Sequence, residues 1–424
     1  MAQDGLFGWV DPLTARHWRV LAAAFLGWIF DGYETYALLL AIGPILQTLL
    51  PQSQYGQIPF YAGLSIGMTL LGWATGGLVG GILTDYIGRK RMMIYAVLGY
   101  ALFTGLTALS TSVWMLIAFR FLTGIALGSE WETGTALLAE SWPDEARAKG
   151  AGIMQSGFGF GSLIGAVAWF FLNPLGPQSW RYLFALGILP ALVVLYLRTN
   201  VSESQMWLDA MEEIEEEGGE RTFTLSELFS DPRDRTIIVY ASIIGLATTA
   251  GWWGINFLVT RHVGAIAGGN AAHWESIAGI VYTVGGVCGY LSAGWIADWI
   301  GRKGYLYFVM IGSLVVTPFT FLWVHSLALL LLVVWVNGIV TLGQFAWFAI
   351  YLPELFTTEV RGSSLGFIFN AARFVAFAFP IVVGSIIATF GGPNTTAVAF
   401  GAIYVLGVVF TYFMPETVGQ PLPE

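Results

Sequence analysis

Six ionisable side chains stand inside long apolar stretches of this 424-residue chain: Asp31, Glu34, Arg120, Glu130, Glu132 and Arg373. A charge held at membrane depth costs roughly 2.5–3.5 kcal/mol on insertion scales, so a functional use is the default explanation. Buried carboxyls can take up and release protons, and a guanidinium offers a planar fork that matches a carboxylate. Asp31 and Glu34 are one turn apart and share a helix face, whereas Glu130 and Glu132 are two apart and cannot face the same way. The amides Gln155, Gln344, Asn256 and Asn370 and the phenols Tyr33 and Tyr36 fall at similar depths. Amides in apolar surroundings need partners, and with Arg373 these residues can form a polar pocket.

The composition says what kind of element must hold them. Hydrophobic residues make up 56% of the chain and charged residues only 11%, against roughly 25% charged in a soluble domain. An integral membrane protein is left, and a soluble enzyme is not. A net charge of -9 argues against nucleic acid, which wants a basic face. One cysteine, Cys288, excludes an internal disulfide and a Cys-based metal cluster. Asp4 and Asp11 precede a first apolar run far too long for a signal segment, so no cleaved leader is expected.

A membrane-crossing helix needs about 20 apolar residues, and twelve such stretches are predicted. They run over 18–41, 60–84, 91–110, 113–139, 148–172, 181–198, 236–260, 274–297, 304–324, 326–352, 363–390 and 396–414. The expected class is all-α: a six-helix bundle over 1–198, a charged linker over 199–235 and a second bundle over 236–424. The linker holds the acidic run Glu212, Glu213, Glu215, Glu216 and Glu217. An even number of spans puts both termini on one face. Lys and Arg concentrate there, at 16–19, 89–91, 147–149, 198, 221–235, 302–303 and 361, with only Arg181 and Arg261 opposite. By the positive-inside rule both termini are cytoplasmic. At 1.5 Å per residue, Asp31 lies about 18 Å in from the cytoplasm, Arg373 about 16 Å, and Arg120 about 10 Å from the outer surface. Asp31 and Arg120 nearly coincide and are expected to pair.

The chain repeats itself. GILTDYIGRKR from Gly81 to Arg91 returns as GWIADWIGRK from Gly294 to Lys303, with Asp85 and Arg89 answering to Asp298 and Arg302. ESWPDEAR, from Glu140 to Arg147, is echoed by ELFTTEVR, from Glu354 to Arg361, and Glu203 by Glu416. Each offset is close to half the chain, so the unit is a duplicated six-helix bundle. Two such halves related by an axis along the membrane normal describe an alternating-access transporter. The eight charged residues of the doubled signatures (Asp85, Arg89, Glu140, Arg147, Asp298, Arg302, Glu354 and Arg361) then read as a gate that holds one access state and breaks in the other. Arg373 minus the offset falls on Gly159, so this charge exists in one half only, as an asymmetric solute would require. Glu130 answers to Gln344, which places both near the central cavity.

The doubled Gly-x-x-x-Asp-x-x-Gly-Arg-Lys signature resembles the major facilitator superfamily over the whole chain. RFLTG at 120–124 and the tail PETVGQPLPE resemble its sugar-porter and organic-ion branches. DGYE at 31–34 resembles the Asp-Gly-Tyr-Asp element of aromatic-acid proton symporters. The stretch from Ala126 to Gly161 is similar to sialate and lactate proton symporters, and lacks a Pro-Asn of the aromatic-acid group, which argues against an aromatic substrate. NAAR at 370–373 resembles transporters whose eleventh-span Arg binds the substrate carboxylate. The resemblance implies a proton-coupled symporter of a small organic anion, a monocarboxylate, in a bacterial inner membrane. It would act as a monomer without cofactor or metal, with Asp31, Glu34, Arg120 and Glu130 serving proton coupling. Two readings compete. A carrier of a neutral sugar or polyol suits the tail but has no use for Arg373, and a receptor would need more than the 199–235 segment to signal through. No nucleophile–base pair appears at shared depth for an enzyme. His17, His262, His273 and His325 sit at membrane edges and read as solvated or interfacial.

Overall fold

The computed structural model describes residues 8–216 and 223–423; Asp4, Glu217 and Arg221 lie outside them. The described residues contain eleven helices long and apolar enough to cross a membrane, and a shorter apolar stretch, Trp180–Val193, supplies a twelfth. The first set comprises α1 (Ala15–Leu49), α2 (Ile58–Ile87), α3 (Arg89–Ala108), α4 (Val113–Ser141), α5 (Asp144–Leu172), α6 (Trp180–Leu186) and α7 (Ala191–Asn200). Two helices follow outside the spans, α8 (Gln205–Glu216) and α9 (Thr224–Ser230). The second set comprises α10 (Pro232–Ala267), α11 (Ala271–Ile300), α12 (Arg302–Leu322), α13 (Leu327–Thr341), α14 (Ala346–Tyr351), α15 (Arg361–Ala371), α16 (Arg373–Ala376), α17 (Phe379–Thr389), α18 (Pro393–Gly401) and α19 (Tyr404–Thr411).

Several predicted spans are interrupted, and local chemistry accounts for some of the breaks. Over 181–198 the helix stops at Leu186 and resumes at Ala191, where Pro190 has no N–H to continue the ladder. The span over 363–390 is three pieces; Pro380 stands at the start of α17 and breaks the ladder for the same reason. Glycine lets helices approach to backbone contact. A Cβ on Gly161 would lie 1.8 Å from the Ile29 carbonyl of α1, and one on Gly157 2.8 Å from that of Phe25. That is the seam by which α5 lies along α1. Gly159, between them, faces Val287 of α11 instead.

The two sets meet along α2 with α15 and α5 with α11. At the basic face the duplicated signatures form duplicated structures. Gly88 and Gly301 both take positive φ, 93° and 84°, a conformation that costs glycine nothing. Each turn starts a helix whose first N–H groups bond a glutamate: Lys90 N–H to Glu203 at 3.0 Å, Lys303 N–H to Glu416 at 3.1 Å. A carboxylate suits a helix N-terminus because it meets unpaired donors and the positive dipole end. Residues near both ends of the described chain reach this face: Trp9 packs on Trp295 of α11, and the Pro423 carbonyl accepts from Arg361.

Candidate functional site

At the basic face the eight charged residues of the doubled signatures converge. Arg89 pairs with Asp85 at 3.2 Å and Glu140 at 2.7 Å; Arg302 pairs with Asp298 and Glu354, both at 2.8 Å. These mirror each other within their own sets. Other contacts run across the two sets. Asp85 accepts from the backbone N–H of Gly362 at 2.9 Å and of Ser363 at 2.7 Å, capping α15. Arg361 reaches Glu140 at 2.8 Å, Arg89 donates to the Thr358 carbonyl at 2.7 Å, and Lys149 pairs with Asp298. Arg147 stays local, on Asp144 and the Ala139 carbonyl. Thr224 of α9 adds a hydrogen bond to Ser363 at 2.9 Å.

Near the middle of the membrane helices lies a cavity of about 40 Å³ between the sets, the room of one or two waters. Its walls are mostly aromatic: Trp28, Trp73, Phe158, Trp252, Trp253, Phe345 and Phe369, with Arg373 among them. Arg373 is 6% exposed. Its Nη1 donates to the Phe369 carbonyl at 2.6 Å, and its guanidinium lies 4.0 Å from the Phe369 ring and 4.9 Å from the Trp73 ring. Such cation–π contacts contribute roughly 0.5–2 kcal/mol each. Among the described residues no acid closes an ion pair with it. The indole N–H groups of Trp28, Trp73 and Trp252 and the Thr249 hydroxyl are buried and have no hydrogen-bond partner among the described residues. A buried donor without an acceptor is costly, and four residues lining the cavity carry one beside Arg373.

Asp31 is fully buried, and neither carboxylate oxygen has a hydrogen-bond partner among the described residues. It lies within electrostatic reach of Glu130, Glu132, Glu34 and Arg373. The expected Asp31–Arg120 pair does not form. Arg120 binds Glu34 at 3.0 Å, takes Thr107 and Thr123 as further acceptors, and stacks over Phe184. Glu130 and Glu132 diverge as their spacing requires. Glu130 packs against Gly27 of α1, whereas Glu132 points at Gly77 of α2 and accepts from Asn370 Nδ2 of α15.

The remaining pocket candidates divide. Gln155 accepts from Trp131 Nε1 at 2.7 Å and donates to the Phe345 carbonyl at 3.2 Å, holding the aromatic wall and bridging the sets. Tyr36 meets Asn256 and Thr283 across the interface. Two candidates find hydrogen-bond partners inside their own set. Tyr33 donates to the Leu183 carbonyl at 2.7 Å and belongs to the core of the first set. Gln344 donates to the Thr341 carbonyl and the Tyr404 hydroxyl, both in the second set. His262 is buried against Phe321 rather than solvated. Trp28, Trp73, Trp252 and Thr249 were not singled out by sequence. Their one available signal, Trp28 a turn before Asp31, is indistinguishable from ordinary helix packing.

Comparison with known proteins agrees with this architecture. Residues 20–380 match the family model described as Major Facilitator Superfamily. The chain is 27% identical over 411 residues to the sialic acid transporter NanX of Escherichia coli, covering 95% of this chain and 96% of that one. It is 26% identical over 402 residues to a gentisate transporter of Corynebacterium glutamicum, covering 92% and 86%. The solved proton:xylose symporter XylE superposes with a TM-score of 0.79 at 20% identity, over 96% of this chain and 98% of that one; at that identity the likeness concerns the fold.

Proposed function

The chain belongs to the Major Facilitator Superfamily, and on that premise we propose that it is a symporter carrying one small organic monocarboxylate with one proton by alternating access. The observation that carries this reading is Arg373: a buried guanidinium without an acid partner among the described residues, set among unmet indole donors. A substrate carboxylate would take the fork of Arg373 and the N–H groups of Trp28, Trp73 and Trp252. Flat aromatic walls favour a planar, conjugated body, since ring faces stack in offset or edge geometry. This runs against the doubt that the missing Pro-Asn casts on an aromatic substrate, and the relative named for gentisate, a planar dihydroxybenzoate, supports the planar body. The cavity of about 40 Å³ is far below the roughly 300–1,000 Å³ of small-molecule sites. Loading therefore requires the two helix sets to move apart at one face.

In this reading the eight gate residues close the basic face, which lies in the cytoplasm, and release it when the other face closes. Protons enter the buried acids through Asp31, whose oxygens have no competing hydrogen bond among the described residues. The Glu34–Arg120 pair supplies a fixed neutral neighbour, and Glu130 stands beside the Asp31 helix. The test is uptake by proteoliposomes of labelled gentisate, with D-xylose as the neutral comparison, with and without an inward proton gradient. Accumulation of gentisate only with the gradient is expected. Gradient-driven accumulation of xylose and none of gentisate would favour the neutral-solute carrier instead.

A further inference from the structure

Proton entry at Asp31 leaves a second fully buried acid without a role. Glu132 Oε1 accepts from Asn370 Nδ2, and its Oε2 has no hydrogen-bond partner among the described residues. The same Asn370 turns its Oδ1 to Arg373 Nη1 at 3.4 Å. Glu132, Asn370 and Arg373 thus form one chain of groups from α4 in the first helix set to α15 and α16 in the second. The fit is close: a Cβ on Gly77 would lie 1.9 Å from Asn370 Nδ2 and 2.7 Å from Glu132 Oε1. Glycine at 77 is what admits the contact.

We infer that Glu132 is the acid whose proton uptake is linked to substrate binding, with Asn370 as the positioning residue that ties it to Arg373. The inference rests on the monocarboxylate reading. In the empty carrier, above the titration of the site, the Arg373 charge balances an ionised Glu132 through Asn370. A substrate carboxylate on Arg373 takes over that charge, and a bare buried carboxylate is then unfavourable. A proton from water adds to Glu132 Oε2 and makes a neutral carboxyl. Release of substrate returns Arg373 to Glu132, and the same proton leaves. One anion and one proton move, and no other bond changes.

The charged surroundings of Glu132 are few. Glu130 on its own helix, Asp31 of α1 and Arg373 of α16 lie within electrostatic reach of it. Tyr100 of α3 faces Glu130, Asp31 and Glu34. The charged groups of α2, α5 and α15 (Asp85; Asp144, Glu145, Arg147 and Lys149; Arg361) stand at the basic face. Arg373 is therefore the one cation facing Glu132 among the described residues, and its neutralisation is what Glu132 can sense.

Gentisate affinity of the purified full chain, measured across neutral pH, tests this. Binding that takes up one proton weakens about tenfold per pH unit above the titration of the empty site. Glu132→Gln, which keeps an acceptor for Asn370, should flatten that slope and bind at high pH as wild type does at low pH. Glu132→Asp, which still titrates, should keep the slope. A slope retained in Gln, or lost in Asp as well, overturns the inference. A second arm needs no ligand. Arg373→Gln removes the counter-charge as substrate would, so infrared spectra should show a protonated carboxyl band that disappears in Arg373→Gln with Glu132→Gln. Absence of that band, or its persistence in the double variant, also overturns the inference. Failure of gentisate to bind wild type at any pH would strike the substrate reading alone and leave the infrared result to decide Glu132.

Discussion

At the scale of single residues the proposed chemistry concentrates on Arg373. Its fork is oriented by the Phe369 carbonyl and walled by two rings, so charge alone does not reproduce it. Arg373→Lys keeps the cation but loses the bidentate geometry, and gentisate affinity should fall about 10-fold or more, the order of one charge-assisted hydrogen bond. Arg373→Ala should abolish binding; calorimetry on folded, purified protein checks both. Asp31→Asn should lose pH-driven uphill accumulation while substrate exchange continues, because exchange requires no net proton movement. Full accumulation by this variant in a counterflow-versus-gradient comparison would remove Asp31 from the path. The mistaken Asp31–Arg120 pairing is instructive here. Glu34 lies three residues further along α1, about 4.5 Å in depth, and depth arithmetic from uncertain helix ends does not resolve that difference.

Elements contribute through where they break and where they touch. α15 begins with N–H groups that Asp85 caps from the other helix set, so one carboxylate both caps a helix and ties the two sets together. Asp85→Asn weakens those two bonds by about 1–3 kcal/mol together, since hydrogen bonds to a charge contribute more than neutral ones. The access equilibrium should shift toward an open basic face, and Asp298→Asn, which loses Lys149 and Arg302, should shift it the same way. Labelling of cysteines placed in the two vestibules reports it; unchanged labelling in both variants and their double would remove these acids from the gate. At the α1–α5 seam, Gly161→Val would drive a side chain into the Ile29 carbonyl. Overpacking of that kind costs about 1–3 kcal/mol and should lower the unfolding temperature in detergent without changing the pH dependence of whatever folds.

For the whole molecule, the proposed stoichiometry has an electrical signature. A monoanion carried with one proton moves no net charge, so uptake should follow the pH gradient and ignore membrane potential. Imposing a potassium diffusion potential on proteoliposomes at equal pH inside and out should leave gentisate uptake unchanged; uptake that scales with the potential would require a second proton or a different ligand charge. The pseudo-symmetry of the basic face fits the proposed cycle. The two signature turns, each with its positive-φ glycine and glutamate-capped helix, are equivalent structures, whereas the cation proposed to hold the substrate, Arg373, exists in one set only.

Much of this was legible along the chain because membranes impose simple rules. Apolar length marks the spans, and a 213-residue offset between Asp85 and Asp298 marks the duplication. Isolated charges such as Arg373 and Asp31 stand out because lipid makes them costly. Periodicity also assigned Glu130 and Glu132 to different directions. What it could not assign was the partner. Whether Arg120 meets Asp31 or Glu34, and whether Glu132 faces a neighbouring helix or Asn370 of the other half, depends on how helices distant in sequence lie against each other. Close approach at Gly77 and Gly161 sets those registers. Tyr33, Gln344 and the indoles of Trp28, Trp73 and Trp252 show the same limit, because a polar group on a buried helix can satisfy itself within its own bundle or wait unpaired at the interface. Local sequence encodes its depth and its face; only the packing of the two bundles decides whether an acceptor is there to meet it.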